Sequence, residues 1–319
     1  MQTLTREKLR QFRTRLSSWV GALNWRCINN LGPSLAHRIS SARPTGEVAR
    51  VLEVLNRDGI AISSASRLLT GNCYSELEAT LQQLENDAAR QIADARRQAQ
   101  ESQDWKSYVL KLLGERPVLD PKSVYVRFAL QAPILQIANS YFGMRTRLRF
   151  YNVWHNFATT GPARDSQLWH RDPEDRLILK VFVYLSDVGE HAGPLCYAAG
   201  SHPKGRLRKV PRGTSQRGAR RSSDAQMSEV VPEHRWVRAV GPMGTIVFAD
   251  TRGYHKGGFV KEQERILYNC MFTSQATKWP EYFDRTDAGF PPAMDAEQAF
   301  ALGAPLTVAS VLKGHLGVS

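Results

Sequence analysis

The sequence predicts an α+β protein in which helices from the N-terminal half cover a core of β-strands. Residues 75–114 contain no Pro and no Gly before Gly114 and are rich in Ala, Gln, Leu, Glu and Arg, a composition typical of long helices. From Arg145 onward the chain changes to alternating and continuous apolar runs, which are typical of half-buried and buried strands. No internal repeat or linker divides the 319 residues, so we predict a single domain behind the N-terminal segment.

The helical half begins with a basic amphipathic segment. Apolar side chains recur at helical spacing between Leu9 and Leu23, and five Lys and Arg residues flank them, as in an amphipathic helix. Such a helix either docks on the protein's own core or lies on an anionic membrane. We assign residues 1–50 to this basic N-terminal helical segment and residues 51–319 to the main domain.

The main domain begins with a helix, a turn and a strand. Residues 51–62 combine helical spacing, an Asp58-Gly59 turn signal and a short apolar run, which predicts a short helix followed by a buried strand. The remaining predicted elements are a helix over 123–141, strands over 145–155, 177–185, 245–249 and 265–272, and a short helix over 295–302.

The net charge of +13 comes from two segments. Residues 1–50 hold nine basic and two acidic residues, and residues 204–221 hold eight basic residues and no acid, so the rest of the chain is nearly neutral. An excess of positive charge favours anionic partners, such as phosphates, nucleic acid, acidic sugars or a membrane surface. Apolar residues make up 42%, which excludes wholesale disorder.

The lack of a recognisable secretory or transmembrane segment, together with the cysteine usage, predicts an intracellular protein. No apolar run approaches the ~20 residues of a transmembrane helix, and the basic N-terminus does not resemble a secretory signal. The four cysteines are widely spaced and form no C-x-x-C pair, so we predict reduced thiols rather than disulfides or a zinc site. The expected location is the cytoplasm, with peripheral contact at the inner membrane face as a further possibility.

The motif that carries chemistry is His170-Arg-Asp172. Residues two apart on a strand point the same way, so His170 and Asp172 can share one ion, although His-x-Asp alone is also compatible with coincidence. His255 follows a Gly-rich turn and a predicted strand and completes a 2-His-1-carboxylate set that binds Fe(II) with positions left open. Arg265, ten residues later, is suited to bind the distal carboxylate of a dicarboxylate cosubstrate with two parallel hydrogen bonds.

With these residues the sequence resembles the phytanoyl-CoA dioxygenase-like family of Fe(II)/2-oxoglutarate-dependent dioxygenases. The resemblance implies a double-stranded β-helix, a jelly-roll or cupin-like barrel, with strands mainly over 145–275. It also implies Fe(II) held by His170, Asp172 and His255, with 2-oxoglutarate and O2 as cosubstrates and Arg265 as the anchor of 2-oxoglutarate. The matching segments, in family order, are residues 55–62, 169–172, 183–188, 193–195 and 200–202, with His255 and Arg265.

One departure from the family pattern leaves a second anchor of 2-oxoglutarate open. Relatives often have Ser or Thr two residues after the anchoring Arg, and this chain has Leu267. The candidates for the missing donor are four side chains, Tyr151, Asn152, Gln167 and Lys180. Because an unpaired ammonium within an apolar strand is costly, Lys180 is also expected to have an anionic partner or to reach solvent.

The basic loop over 203–235 is expected near the mouth of the implied barrel. It is either a solvated surface loop or a lid that binds an anionic substrate. The candidate substrate-binding residues are Arg217, Arg220, Arg221 and Trp169.

The predicted reaction is hydroxylation of a C–H bond. Related halogenases have a small residue at the position of Asp172, so the carboxylate argues for hydroxylation, with no catalytic residue needed beyond the metal ligands. The expected substrate is a small, anionic molecule: an acyl-CoA, a natural product, or a lipid-linked sugar such as the Kdo sugar of lipid A. The alternatives are the same chemistry on nucleic acid or protein, for which the basic segments lack a base-stacking platform, and a non-catalytic jelly-roll binding protein.

Overall fold

The computed structural model describes residues 20–101, 106–216, 219–286, 289–291 and 294–307. Most of the predicted basic N-terminal helix lies outside these residues, as does Arg217. Val20 and Leu23, from the end of that helix, are exposed. Within the described part of the chain, no helix is long and apolar enough to cross a membrane.

Helices dominate the first half of the chain and strands the second, as predicted. Within the residues that the structure describes, a π-helix over Asn24–Asn29 is followed by nine α-helices. These are α1 Leu31–Ser40, α2 Gly46–Asp58, α3 Ala65–Leu68, α4 Cys73–Asp87, α5 Ala89–Glu101, α6 Val124–Ala129, α7 Ala132–Phe142, α8 Asp224–Ser228 and α9 Ala296–Ala301. The strands are β1 Ile60–Ser64, β2 Val109–Lys111, β3 Val118–Leu119, β4 Arg147–Asn156, β5 Ile178–Tyr184, β6 Cys196–Ala198, β7 Thr214–Gln216, β8 Ala219–Arg221, β9 Trp236–Arg238, β10 Thr245–Ala249, β11 His255–Lys256, β12 Arg265–Thr273 and β13 Asp284–Arg285.

A six-stranded sheet, the large sheet, forms the centre of the molecule. Its order is β1-β10-β5-β12-β4-β2, and every neighbouring pair is antiparallel. Strand β12 lies between β4 and β5, and all nine of its residues are buried. Full burial on both faces accounts for its nearly continuous apolar sequence.

A three-stranded sheet, the small sheet, has the order β11-β6-β9. An extended segment before β5 adds to its β11 edge, because His170 pairs with His255 in an isolated bridge. On the other side of this segment, Trp169 pairs with Ser222 in a second isolated bridge. The predicted His-x-Asp motif therefore lies in extended backbone between β11 and the residues that follow β8.

Three hydrophobic clusters hold these layers together. The largest contains side chains of the helices and of one face of the large sheet, among them Leu55, Phe128 and Tyr268. The second joins the other face of the large sheet, including Phe182, to Tyr197 of the small sheet. The third packs Trp169 against Trp236, Met227 and their neighbours. The helical jacket and the β core are thus one connected body, in keeping with the predicted α+β class.

Most predicted elements are present, and two differ for identifiable reasons. Residues 109–111, predicted as the end of a long helix, form β2 at the edge of the large sheet, because pairing with β4 overrides local helix propensity. The helix predicted over 123–141 is split into α6 and α7. Pro133 lies in the first turn of α7, where its missing N–H is tolerated.

The turn between α2 and β1 confirms the predicted Asp58-Gly59 signal and generates a prediction. Gly59 has φ +82°, and a Cβ added there would lie 2.4 Å from the hydroxyl of Tyr197. Gly71 has a similar φ of +80° with nothing within 4 Å. We expect Gly71→Ala to lower the free energy of unfolding by about 1–2 kcal/mol, the cost of the left-handed backbone. Gly59→Ala should lower it by roughly a further 1–3 kcal/mol because of overpacking.

Urea unfolding of the two variants beside the wild type measures this difference. Equal losses for Gly59→Ala and Gly71→Ala would show that the contact with Tyr197 is not tight, contrary to this description of the turn.

Candidate metal centre

The structure brings His170, Asp172 and His255 together as the sequence predicted. One ligand atom from each lies within 4.8 Å of the others. The carboxylate Oδ1 of Asp172 is 3.7 Å from Nε2 of His170, and its Oδ2 is 3.5 Å from Nε2 of His255. The backbones of His170 and His255 exchange two hydrogen bonds of 2.9 and 3.0 Å, so the two imidazoles are held side by side on one face.

The backbone also fixes which ring nitrogen of each histidine faces the centre. Nδ1 of His170 lies 2.7 Å from the carbonyl of Leu168, and Nδ1 of His255 lies 3.0 Å from the carbonyl of Gly253. Because a carbonyl only accepts, each Nδ1 donates and each Nε2 presents its lone pair. Burial lowers the pKa of both histidines, which favours the neutral form that binds metals. Two imidazole nitrogens and a carboxylate are a donor set that fits Fe(II).

Asp172 is held as a carboxylate by its neighbours. Burial would raise the pKa of Asp172, but the ammonium of Lys180 and the two imidazoles lower it below its usual range. Nζ of Lys180 donates to Oδ2 of Asp172 at 2.6 Å and lies 3.7 Å from Glu174. The expectation that Lys180 has an anionic partner is therefore confirmed.

Arg265 begins β12 and is almost fully buried, with 6% of its surface exposed. It lines a small cavity of about 30 Å³ with Trp154, Tyr184 and Leu267. Its Nε has no hydrogen-bond partner, and no carboxylate in the described ranges forms an ion pair with it. Burial lowers the pKa of Arg265, and a buried guanidinium without a counter-ion is costly. The site therefore fits an anionic ligand such as a carboxylate of 2-oxoglutarate.

Asn156 is a polar residue near Arg265 that the sequence interpretation missed. It pairs with Arg265 directly across β4 and β12, so both side chains point to the same face. Its Nδ2 is buried and has no partner among the described residues. The alternation of polar and apolar residues along β4 could have identified Asn156 as a residue on the same face as Asn152. The predicted strand ended at His155, one residue before Asn156.

Two of the proposed second anchors of 2-oxoglutarate are occupied elsewhere. Tyr151 is an odd number of residues from Asn156 and lies on the opposite face of β4, where its hydroxyl donates to the carbonyl of Val118. Asn152 shares the face of Asn156, but its amide bonds to Gly114 and Leu113 of the neighbouring segment. The orientation of Tyr151 therefore excludes it as the second anchor of 2-oxoglutarate. The side-chain amide of Asn152 is already hydrogen-bonded to the backbone of residues 113 and 114.

The other two proposed anchors lie closer to the metal ligands. Oε1 of Gln167 accepts a hydrogen bond from the backbone of Arg164 and closes the turn that leads to His170. Lys180 pairs across the sheet with Met271, six residues along β12 from Arg265. At about 3.4 Å per residue this is roughly 20 Å of strand, so Lys180 belongs to the Asp172 end of the site.

Arg221 lies beside the metal centre. Trp169 pairs with Ser222, so the next register position sets Arg221 opposite His170, on the same face. The positive charge of Arg221 contributes, after larger effects, to lowering the pKa of both His170 and His255. Its side chain is 11% exposed and forms a 3.0 Å ion pair with Asp165.

The remaining substrate candidates lie away from this face. Arg220 is exposed, alternates with Arg221 along β8 and donates to the carbonyl of Pro211. Trp169 alternates with His170, is fully buried in the third cluster and donates from Nε1 to Asp224 at 2.7 Å. The prediction that Trp169 and Arg220 bind the substrate is therefore corrected, because their side chains point away from the metal ligands.

Comparisons with known proteins identify a family and several similar structures. The family model for phytanoyl-CoA dioxygenase (PhyH) matches residues 67–263, more than half of the chain, including all three triad residues. EctD from S. alaskensis with bound Fe is similar in structure, with a TM-score of 0.50 and 16% identity over 79% of this chain and 86% of that chain. The epimerase SnoN in complex with Fe³⁺, alpha ketoglutarate and nogalamycin RO has a TM-score of 0.46 and 18% identity over 82% of this chain and 96% of that chain. A search of curated proteins found no match.

Two paired histidines, a carboxylate and a buried arginine are the parts of a mononuclear oxygenase site. The chain belongs to the phytanoyl-CoA dioxygenase family. It is therefore an Fe(II)- and 2-oxoglutarate-dependent oxygenase, and the resemblance stated from the sequence is confirmed.

Proposed function

We propose that this protein hydroxylates a C–H bond of a small anionic molecule, with Fe(II) held by His170, Asp172 and His255. The observation that carries this proposal is the pairing of the two histidine backbones, which turns both Nε2 atoms toward Asp172. When bound, iron would supply the oxidising chemistry, in which 2-oxoglutarate and O2 give succinate and carbon dioxide and the second oxygen atom of O2 enters the C–H bond of the substrate as a hydroxyl group. The carboxylate of Asp172 supports hydroxylation rather than halogenation, because it occupies the position that a halide would need.

Arg265 is the proposed anchor of the distal carboxylate of 2-oxoglutarate. Its guanidinium is buried and has an unpaired Nε, so a carboxylate there gains charge-assisted hydrogen bonds with little screening by water. Asn156 is the proposed second donor, because its unpaired Nδ2 lies on the same face directly across from Arg265. Tyr184 and Leu267 line the small cavity beside Arg265. Trp154 also lines it and offers a further buried donor, because its Nε1 has no hydrogen-bond partner among the described residues.

The strand order supports a jelly-roll core. Along the chain, β4 and β5 belong to the large sheet, while the His170 segment between them pairs with the small sheet. The alternation continues, since β6 and β9 lie in the small sheet, β10 in the large, β11 in the small and β12 in the large. We propose that the two sheets are the halves of a double-stranded β-helix.

The proposed binding site for the anionic part of the substrate centres on Arg221. Nε and Nη1 of Arg221 are buried without hydrogen-bond partners among the described residues. Asp165 forms ion pairs with both Arg221, at 3.0 Å, and Lys106, at 3.6 Å. Asp165 is also the one non-glycine residue with positive φ in the described part of the chain, a conformation often found at functional positions. A carboxylate or phosphate of the substrate would accept charge-assisted hydrogen bonds from the unpaired Nε and Nη1 of Arg221.

The enzymatic activity is tested by succinate formation from 2-oxoglutarate with Fe(II) under air. We expect turnover by the wild type, and His170→Ala should lose metal binding and activity while its circular dichroism spectrum stays unchanged. Arg265→Met should raise KM for 2-oxoglutarate by about tenfold or more, because two charge-assisted hydrogen bonds are lost. Absence of both metal binding and turnover in the wild type would contradict the proposed function.

The role of Arg221 is tested with pairs of small carboxylic acids and their neutral primary amides. We expect some acids, and not their amides, to increase succinate formation by the wild type, and Arg221→Met to lose that increase. Arg220→Met is the matched control, because this neighbouring arginine faces the opposite side of β8, and it should respond as the wild type does. Equal loss of the response in both variants would show that general charge, and not the Arg221 site, attracts the acids.

A further inference from the structure

Lys180 is a buried cation that contacts one of the metal-site residues directly. It lies in β5 on the face of the large sheet that also carries Phe182 and Tyr184. Its Nζ is 2.6 Å from Oδ2 of Asp172 and 3.7 Å from Oε1 of Glu174. Only 19% of its side-chain surface is exposed, so the ammonium is committed to these two carboxylates rather than to solvent.

The two oxygens of Asp172 therefore have different surroundings. Oδ1 faces Nε2 of His170 at 3.7 Å, and no hydrogen-bond donor from the described chain engages it. Oδ2 accepts the hydrogen bond of Lys180 and lies 3.5 Å from Nε2 of His255. The hydrogen bond of Lys180 occupies lone-pair capacity on one oxygen and leaves the other free.

We propose that Lys180 is a positioning residue that makes Asp172 bind Fe(II) through Oδ1 alone; this rests on the proposed function. Carboxylates bind metals through one oxygen or through two. A two-oxygen mode of Asp172 would fill a coordination position that a 2-His-1-carboxylate site keeps open for its cosubstrates. The hydrogen bond from Lys180 restrains Oδ2 and so preserves that position for 2-oxoglutarate and O2.

Glu174 is the second carboxylate beside the ammonium of Lys180. Its Oε1 is 3.7 Å from Nζ of Lys180, and its Oε2 is buried without a hydrogen-bond partner in the described ranges. A carboxylate with no better partner stabilises the ammonium at this point. The functional segment therefore extends from His170 and Asp172 to Glu174, whose carboxylate lies beside the ammonium of Lys180.

The competing role for Lys180, a direct contact with 2-oxoglutarate, does not suit its position. Lys180 pairs with Met271, and Arg265 is six residues away along β12, which corresponds to about 20 Å of strand. Its ammonium is also already shared between two carboxylates. A second anchor for the distal carboxylate belongs beside Arg265, where Asn156 lies.

Metal and cosubstrate binding without turnover test this role. The probes are Mn(II) and then 2-oxoglutarate, added without O2 to the wild type, Lys180→Met and Lys180→Arg, and followed by titration calorimetry. Lys180→Met should bind Mn(II) about tenfold more tightly or better, because a nearby positive charge is removed. It should bind 2-oxoglutarate about tenfold less tightly or worse, because Asp172 then fills a second position. Lys180→Arg retains the charge and the donor and should restore both affinities toward those of the wild type.

A separate readout distinguishes positioning from charge alone. The visible absorption of Co(II)-loaded protein reports the number of ligands, so it should differ between Lys180→Met and the wild type before any cosubstrate is added. An unchanged Co(II) spectrum would overturn the proposal, whatever the affinities. Weaker 2-oxoglutarate binding with unchanged Mn(II) affinity would instead make Lys180 a cosubstrate contact.

The controls keep this proposal separate from the proposed function. Mn(II) and 2-oxoglutarate binding by the wild type tests the function, whereas the differences between variants test Lys180. If Lys180→Met fails to fold, Glu174→Gln serves as the second variant. It removes the charge that holds Lys180 and should change the Co(II) spectrum in the same direction, and an unchanged spectrum would overturn the proposal.

Discussion

The backbone pairing of His170 with His255 is the interaction on which the rest of the site depends. It joins a segment that precedes β5 to the short strand β11, two parts of the chain 85 residues apart in the numbering of the sequence. The pair fixes both imidazoles on one face and, through Nδ1 bonds to Leu168 and Gly253, turns both Nε2 atoms toward Asp172. Loss of this pairing would separate the ligands even if every side chain were retained.

Buried charge is the second constraint, because three cations surround a site with few carboxylates to balance them. Lys180 is satisfied by Asp172 and Glu174, and Arg221 is satisfied in part by Asp165. Arg265 has no carboxylate partner among the described residues, and such burial is unfavourable unless an anion completes it. The stability of the site and the binding of anionic cosubstrate and substrate are thus linked by one requirement for charge balance.

The sequence predicted the metal-site residues and most strands, because their signals are local. Strand β10 has the predicted bounds, and the His-x-Asp spacing needs only an extended backbone. The face of each side chain was harder to predict, since a shift of one residue reverses it. Tyr151 and Trp169 are polar-tipped residues in the right segments that point away from the site, while Asn156 and Arg221 point toward it. The faces of Tyr151 and Asn156 depend on the pairing of β4 with β12. Those of Trp169 and Arg221 depend on the pairing of Trp169 with Ser222. No local pattern in the sequence specifies either pairing.

The most direct test of the account is a crystal structure of the protein prepared without O2, with Fe(II) and 2-oxoglutarate, recorded at the iron absorption edge. We predict one anomalous peak bounded by His170, Asp172 and His255, with 2-oxoglutarate extending from that peak to the guanidinium of Arg265. An iron peak away from these three residues, or a 2-oxoglutarate molecule whose distal carboxylate does not contact Arg265, would contradict the account.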